Sequence, residues 1–407
     1  MRNYLKTLTI VIFFNLMGCA TTDTGPSYNY GGDELVNAEV NIEPMAISIV
    51  VFDPGLPDDT SDYYSDTSWP ELRRAEAMYM SNRLKETMEK TTYFGAVRVT
   101  PDSTSSSDLY VTGKIQESNG EDVKLKVTVS DSTGKVWINN KLYNHRVTNY
   151  VFQEPRFRDK AGNLKLDPYD AIYERITTDI AKLRISGNNA EKVRVTTKLR
   201  FAQNMSKESF SDILQYKNGK YTLKGMPASD DPMIERVEKI KFREEMFIDN
   251  LQPYYESFSS NMSKSYSIWQ QQAFAESKSA REQKIRARNQ AIGAILIAAA
   301  TVAATGEIED ADWATTTAIT GALATIAVFN ESFKSSKEAK IHRDALSELG
   351  QSLDSNLAPF VIDMEETTAE LTGDAKEQFQ QLREILKKIY SQEEAKTSTI
   401  KVIESST

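Results

Sequence analysis

The sequence predicts an α+β protein, in which a small βαβββ-type sandwich domain is followed by a mainly α-helical region containing an apolar helical hairpin. Three observations carry this reading. A short apolar strand, an amphipathic helical stretch and a second strand succeed one another between residues 45 and 100. An Asn-Gly turn then joins two segments, the second alternating polar and apolar residues, and from residue 168 onward apolar side chains recur at helical spacing around two nearly uncharged runs within 291–329.

The chain starts with Arg2 and Lys6, continues through an apolar run from Thr7 to Leu16, and reaches Met17, Gly18 and Cys19. An apolar run of about ten residues behind a positive end is a secretory leader, well short of the ~20 residues a spanning helix needs. Residues 1–18 are therefore expected to be removed. The run Leu16-Met17-Gly18-Cys19 resembles the lipobox of bacterial lipoproteins, although Met17 stands where a small residue is usual. That resemblance implies a diacylglycerol on the Cys19 thiol and a further acyl chain on the freed amine. Several acyl chains at ~0.8 kcal/mol per buried methylene make a lasting membrane anchor. Ala20, in place of aspartate, implies by the same resemblance the outer membrane, with the protein facing the periplasm. Cys19 is the only cysteine, so no disulfide is expected.

Residues 19–44 form a polar tether without apolar period. Within it, Gly31-Gly32-Asp33-Glu34-Leu35 looks like a cyclic-dinucleotide synthase signature, but it lacks the large α/β domain and the preceding acidic ligands that the chemistry requires. The leader's loss leaves 47 basic against 58 acidic residues, which argues against nucleic acid as a partner.

The α/β domain is drawn from 45 to 150. Ala46 to Phe52 is a buried strand by its β-branched content, and Glu71 to Thr91 is a helix behind Pro70, with Leu72, Ala75, Tyr79, Leu84 and Met88 inward and charge on the other face. Phe94 to Val99 returns as a strand, giving a βαβ unit with an expected right-handed crossover. Asp108 to Glu117 and Asp122 to Ser130 form a hairpin across Asn119-Gly120, a dipeptide suited to a two-residue turn with positive φ. Val123, Leu125, Val127 and Val129 face in while Lys124, Lys126 and Thr128 face out. The last strand starts at Val136 and extends toward Val147.

Val50-Val51-Phe52-Asp53, the helix, Phe94-Gly95-Ala96-Val97-Arg98-Val99, Leu109-Tyr110-Val111-Thr112-Gly113-Lys114-Ile115 and the segment Val127 to Val136 together resemble the small domain of several envelope lipoproteins. These include curli-secretion lipoproteins, activators of penicillin-binding proteins and the amino-terminal domain of the Tol-system β-propeller protein. The resemblance covers about a quarter of the chain and implies a docking module for an envelope protein. The loop after the first strand holds Asp53, Asp58, Asp59, Asp62 and Asp66 with Tyr63, Tyr64 and Trp69. Those three aromatics are the candidate docking residues. The loop lacks the ordered spacing of a calcium site, so no metal is expected.

The next segment, 151–290, is expected to be mainly helical. Pro168 to Arg184 carries Tyr169, Ile172, Ile176, Ile180 and Leu183 on one side, and Asp231 to Gln252 carries Ile234, Val237, Ile240, Phe247 and Leu251. Pro253 should end or kink this helix. A second stripe of Tyr255, Phe258, Met262, Tyr266, Trp269 and Ala273 then runs toward Gln290 as core packing. More amphipathic helices fill 330–391, including Glu377 to Tyr390, and 392–407 is expected to be a disordered tail.

Between these regions, 291–329 is expected to be an apolar hairpin whose small residues recur four apart, as in Ala294 and Ala298, Ala318 and Ala322, and Gly321 and Thr325. Such spacing allows close helix approach. Three uses are open: a buried hairpin of the bundle, a contact between copies in a homo-oligomer, and membrane insertion. Arg281, Lys284, Arg286, Arg288, Lys334, Lys337 and Lys340 would collar its base, whereas Glu307, Glu309, Asp310 and Asp312 at its tip oppose crossing of hydrocarbon. His145 and His342 are the only histidines and are expected at surfaces or interfaces. With no catalytic triad, phosphate loop or metal motif in view, the expectation is a non-enzymatic, cofactor-free scaffold or docking factor of the cell envelope. The alternative is an oligomeric secretion or permeabilising component that uses the hairpin.

Overall fold

The computed structural model describes residues 44–57, 69–160, 164–185, 189–228, 231–305, 337–353, 357–364 and 367–405. Among them are both helices and sheets, an α+β protein. The expected leader, Cys19, the expected tether and most of the acidic loop lie outside the described residues, as do the expected acidic turn and second arm of the hairpin.

Strand β1 (Ile47–Val50) lies between two parallel neighbours, with Ile47 opposite both Val97 of β2 (Val97–Thr100) and Leu109 of β3 (Leu109–Ser118). The connection from β1 to β2 is helix α1 (Pro70–Glu89), so the expected βαβ unit is present. β4 (Asp122–Asp131) pairs antiparallel with β3, and β5 (Val136–Arg146) with β4, giving the order β2-β1-β3-β4-β5. The alternation in β4 does what its period demands: Val123, Leu125, Val127 and Val129 are completely buried, while Lys126 is exposed. Each such side chain contributes roughly 1.5 to 3 kcal/mol by leaving water.

The turn at Asn119-Gly120 differs from the expected two-residue form. Three residues, 119–121, separate the strands, and of these Gly120 has the positive φ, +85°. The Asn119 carboxamide oxygen accepts from the amides of Glu121 (3.0 Å) and Asp122 (2.7 Å), an Asx arrangement that replaces the second positive-φ position. Glycine is also required sterically, because a Cβ there would sit 2.4 Å from the backbone nitrogen of Phe274.

That clash identifies the main departure from the expected layout. Phe274 belongs to α5 (Pro232–Thr305), one continuous helix of 74 residues, about 110 Å long at 1.5 Å per residue. It is preceded by α2 (Asn149–Gln153), α3 (Asp170–Ile185), α4 (Ala190–Met205) and a hairpin of β6 (Leu214–Lys217) with β7 (Lys220–Leu223). Pro253 does not end α5. Its neighbours Leu251, Gln252 and Tyr255 are buried, and the Gln252 amide binds the outer edge of β2: its oxygen accepts from the Val99 amide (3.0 Å) and its nitrogen donates to the Val99 carbonyl (2.9 Å). A helix side chain thereby occupies the place of a sixth strand and closes that edge.

The aromatic stripe of α5 is core, since Tyr255, Phe258, Met262, Tyr266, Trp269 and Ala273 are all buried. One apolar cluster runs from Met45 through the sheet, α1, α3 and α5 to Tyr390, so the sheet and the helices share a core across the boundary drawn at 150. The charge-bearing face expected on α1 is therefore largely covered. Helix α6 (Lys337–Ser352) packs on it as well as α3 and α5, and even Glu76, Asn82 and Lys85 are buried.

Helix α6 approaches α1 closely at Gly350, where a Cβ would come within 2.0 Å of the Glu71 carbonyl oxygen. Gly350→Ala is expected to separate the two helices and to lower stability by about 1–3 kcal/mol, measured as a shift in denaturant midpoint at unchanged slope. The chain continues through a second small hairpin, β8 (Phe360–Met364) with β9 (Thr367–Leu371), where helix was expected. Helix α7 (Ala375–Ser405) then runs beyond Tyr390 through the segment expected to be a disordered tail.

Candidate functional site

The most elaborate chemistry of the molecule lies along α5, where polar residues from four other elements meet one helix. From Glu244 to Arg281, a span of about 55 Å, α5 makes a series of specific contacts. Its first part holds the β2 side: Asp249 accepts from Arg98 at 2.6 and 2.9 Å, and Glu256 accepts from Lys85 at 2.7 Å. Its later part crosses the tip of the β3–β4 hairpin. There the Ser277 hydroxyl donates to the Asn119 carbonyl (2.7 Å) and Arg281 pairs with Glu121 (2.8 Å).

Three buried carboxylates add to these contacts. Glu76 of α1 is completely buried and accepts from the hydroxyls of Ser118 (2.6 Å) and Tyr266 (2.7 Å) and from Arg73 (2.9 Å). Burial pushes its carboxyl up from the usual range, while Arg73 and the two hydroxyls pull it back. Tyr169 joins the cluster, its hydroxyl lying 3.2 Å from Ser118 and accepting from the Gly120 amide at 2.9 Å.

Asp167, ahead of α3, accepts through Oδ1 from the Tyr169 amide (2.8 Å) and the Gln270 side chain (2.9 Å). Burial first and the charge of Asp170 second push its carboxyl up to about 6, against the pull of Arg83. The third is Glu244, which accepts from the Ser106 amide (2.7 Å) and from Arg383 of α7 (2.7 Å) with both side chains buried. Burial raises Glu244 as well, and Arg383 opposes it. Each carboxylate joins segments far apart in sequence. What this arrangement does chemically is hold α5 at a fixed height and rotation on the sheet.

The residues singled out by sequence are distributed differently. Trp69 is half-buried at the start of α1, packs against the core and donates from Nε1 to Ser347 of α6 at 3.3 Å. Its indole thus has a partner within the chain. Tyr63 and Tyr64 lie outside the described residues, as do Leu16, Met17, Gly18, Cys19, Ala318, Gly321 and Ala322. Ala294 and Ala298 fall on the helical backbone of α5, so the first arm of the expected hairpin is the end of the same helix that crosses the sheet.

His145, expected at a surface or an interface, is buried in β5. Burial and the charge of Arg175 lower its imidazole to about 4. His342 meets Ser265 across α6 and α5, its Nδ1 3.1 Å from the hydroxyl. Asp53 accepts from the Gly55 amide (2.7 Å) and pairs with Lys114 (3.2 Å). Among the described residues no group of three or more histidine, cysteine, aspartate or glutamate side chains is placed to hold a metal. An open groove of about 330 Å³ at the first turn of α4 is lined by Lys192, Lys224 and Met226, and none of the buried carboxylates lines it.

Sequence reasoning missed Glu76, Asp167 and Glu244. A signal existed for Glu76, which sits four residues after Leu72 and three before Tyr79, on the apolar side of α1. Comparison with protein families, with curated proteins and with solved structures finds no match for this chain.

Proposed function

We propose that this protein is a lipid-anchored scaffold or docking factor of the bacterial cell envelope, tethered through Cys19 to the outer membrane and facing the periplasm. The observation that carries the reading is the run Leu16-Met17-Gly18-Cys19 directly after a short apolar leader. A polar tether of about two dozen residues then leads to the α/β body. The body suits a mechanical role, because its buried carboxylates join elements instead of lining the groove at α4. In this reading the five-stranded sheet and α1 are the small sandwich domain that resembles the docking modules of other envelope lipoproteins, and its partner is an envelope protein. The chemistry of the protein is recognition and assembly, without a cofactor or a catalysed reaction.

The test is metabolic labelling with palmitate. The wild-type chain is expected to carry label and to sediment with membranes, and Cys19→Ala is expected to lose the label and enter the soluble envelope fraction. Label retained by the alanine variant would sink the anchor.

A second reading is favoured by one observation: α5 carries the apolar stretch Ala291 to Ala304 as a direct helical continuation of the rod pinned to the sheet. In that reading 291–329 is a hairpin through which copies assemble into a secretion or permeabilising component. Ala298→Asp would then abolish self-association and leave the monomer folded, whereas unfolding of the monomer would identify the hairpin as core.

A further inference from the structure

Among the described side chains, the specific contacts of α5 with the sheet reach as far as Arg281, while the helix continues to Thr305, 24 residues or about 36 Å further. Immediately past Arg281 its surface opens. Gln283, Lys284, Ile285, Arg286 and Arg288 are all exposed, and Ile285 is the apolar member of this group. Lys284 and Arg288 are one turn apart on the same side, with Ile285 beside them. Arg286 lies off that side, with Glu282 3.7 Å away. Three exposed cations within five residues run against the net charge of −9 on the whole chain.

Polarity along this rod is ordered. First comes the pinned segment ending at Arg281, then the cationic turn 284–288, then the apolar sequence from Ala291 to Ala304. A bilayer surface presents the complementary order over a similar depth: water, phosphate, hydrocarbon. Among the described residues no helix is long and apolar enough to cross a membrane, so the match is to a surface and not to a span.

We propose that the turn Lys284–Arg288 of α5 is a binding face for the phosphates of an anionic phospholipid surface, with Ile285 entering the headgroup boundary. Arg281 positions this face: by pairing with Glu121 at the hairpin tip it fixes the direction in which α5 leaves the sheet. The inference rests on the membrane-tethered reading only in that the tether keeps a membrane within reach.

The experiment uses the full chain carrying Cys19→Ala, so that no acyl chain contributes, with and without Lys284→Glu, Arg286→Glu and Arg288→Glu together. Flotation with phosphatidylglycerol-containing and pure phosphatidylcholine vesicles is measured at low and high ionic strength. Contributions of the apolar leader are common to both chains and cancel in the comparison. Circular dichroism and thermal melting verify that the exposed substitutions leave the fold intact.

The parent is expected to prefer the anionic vesicles at low salt and to lose that preference at high salt. The triple variant is expected to lose on the order of 100-fold of that preference at low salt, since each surface cation contributes about one order of magnitude or less. Equal preference in parent and variant overturns the proposal. So does a parental preference that salt leaves unchanged, or a variant that loses self-association while keeping its lipid preference. Failure here leaves palmitate labelling of Cys19 untouched, and failure of that labelling leaves the vesicle preference untouched.

Discussion

Arg383→Ala is expected to lower the stability of the protein by about 3–5 kcal/mol, read from equilibrium unfolding in denaturant. The substitution removes the guanidinium that lies 2.7 Å from Glu244 and leaves that carboxylate of α5 buried with its hydrogen bond from the Ser106 amide. It also frees the Thr104 carbonyl, which Arg383 binds at 2.7 Å, so the β2–β3 loop loses its tie to α7. Most of the expected loss is the cost of an uncompensated charge, not the net worth of the pair. The double variant Arg383→Met with Glu244→Met is accordingly expected to recover most of the stability. A double variant as unstable as the single would show that the pair itself, and not the orphaned charge, is what matters.

The second large effect is in pH dependence, where two buried groups oppose each other. His145 is held at about 4 in the fold against 6.5 when exposed, so its contribution is complete above pH 6.5 and is lost as pH falls toward 4. Asp167 is held at about 6 against 3.8, so its contribution is complete below 3.8 and is lost as pH rises through 6. Each amounts to roughly 3 kcal/mol across nearly the same window. Glu76 and Glu244, both raised by burial, act in the same direction as Asp167.

His145→Gln is therefore expected to yield a protein that gains stability on acidification from pH 6.5 to 4. Asp167→Asn is expected to be more stable than wild type at pH 7 by up to about 3 kcal/mol and to lose stability over that window. Its amide oxygen keeps the bonds from the Tyr169 amide and Gln270. Urea titrations at several pH values measure both, and parallel pH profiles for the two variants would refute the assignment.

How far the sequence foretold these features depends on whether the deciding partner was local. β4 was legible because Val123 to Val129 alternate against one wet face, a period that needs no knowledge of the rest of the chain. The hairpin at Asn218-Gly219 carries the same turn dipeptide, with both residues at positive φ, yet its strands are short and largely exposed and give no comparable alternation. Pro253 shows a local rule overridden. Proline disfavours a helix interior, but the burial of Leu251 and Tyr255 and the clamp of Gln252 on Val99 hold the turn on either side.

The buried carboxylates were hidden for a related reason. Glu76 meets Tyr266 across 190 residues of sequence and Glu244 meets Arg383 across 139, and nothing in either neighbourhood names the other. The burial of His145 depends likewise on a distant partner, because the segment ahead of α3 covers it: the histidine bonds the Pro168 backbone. The sharing of one core by sheet and helices follows from the same long-range contacts, which a pass along the chain cannot supply.

Central to the proposed function is a body with its α5 rod pinned to a mixed sheet, held at a membrane through lipid on one cysteine. The most direct test is intact-mass analysis of the protein purified from the cell envelope. The predicted result is a chain that begins at Cys19, with a diacylglycerol thioether on the side chain and an amide-linked acyl group on the nitrogen. A chain that retains Met1, or one that begins elsewhere with the Cys19 thiol unmodified, would contradict it.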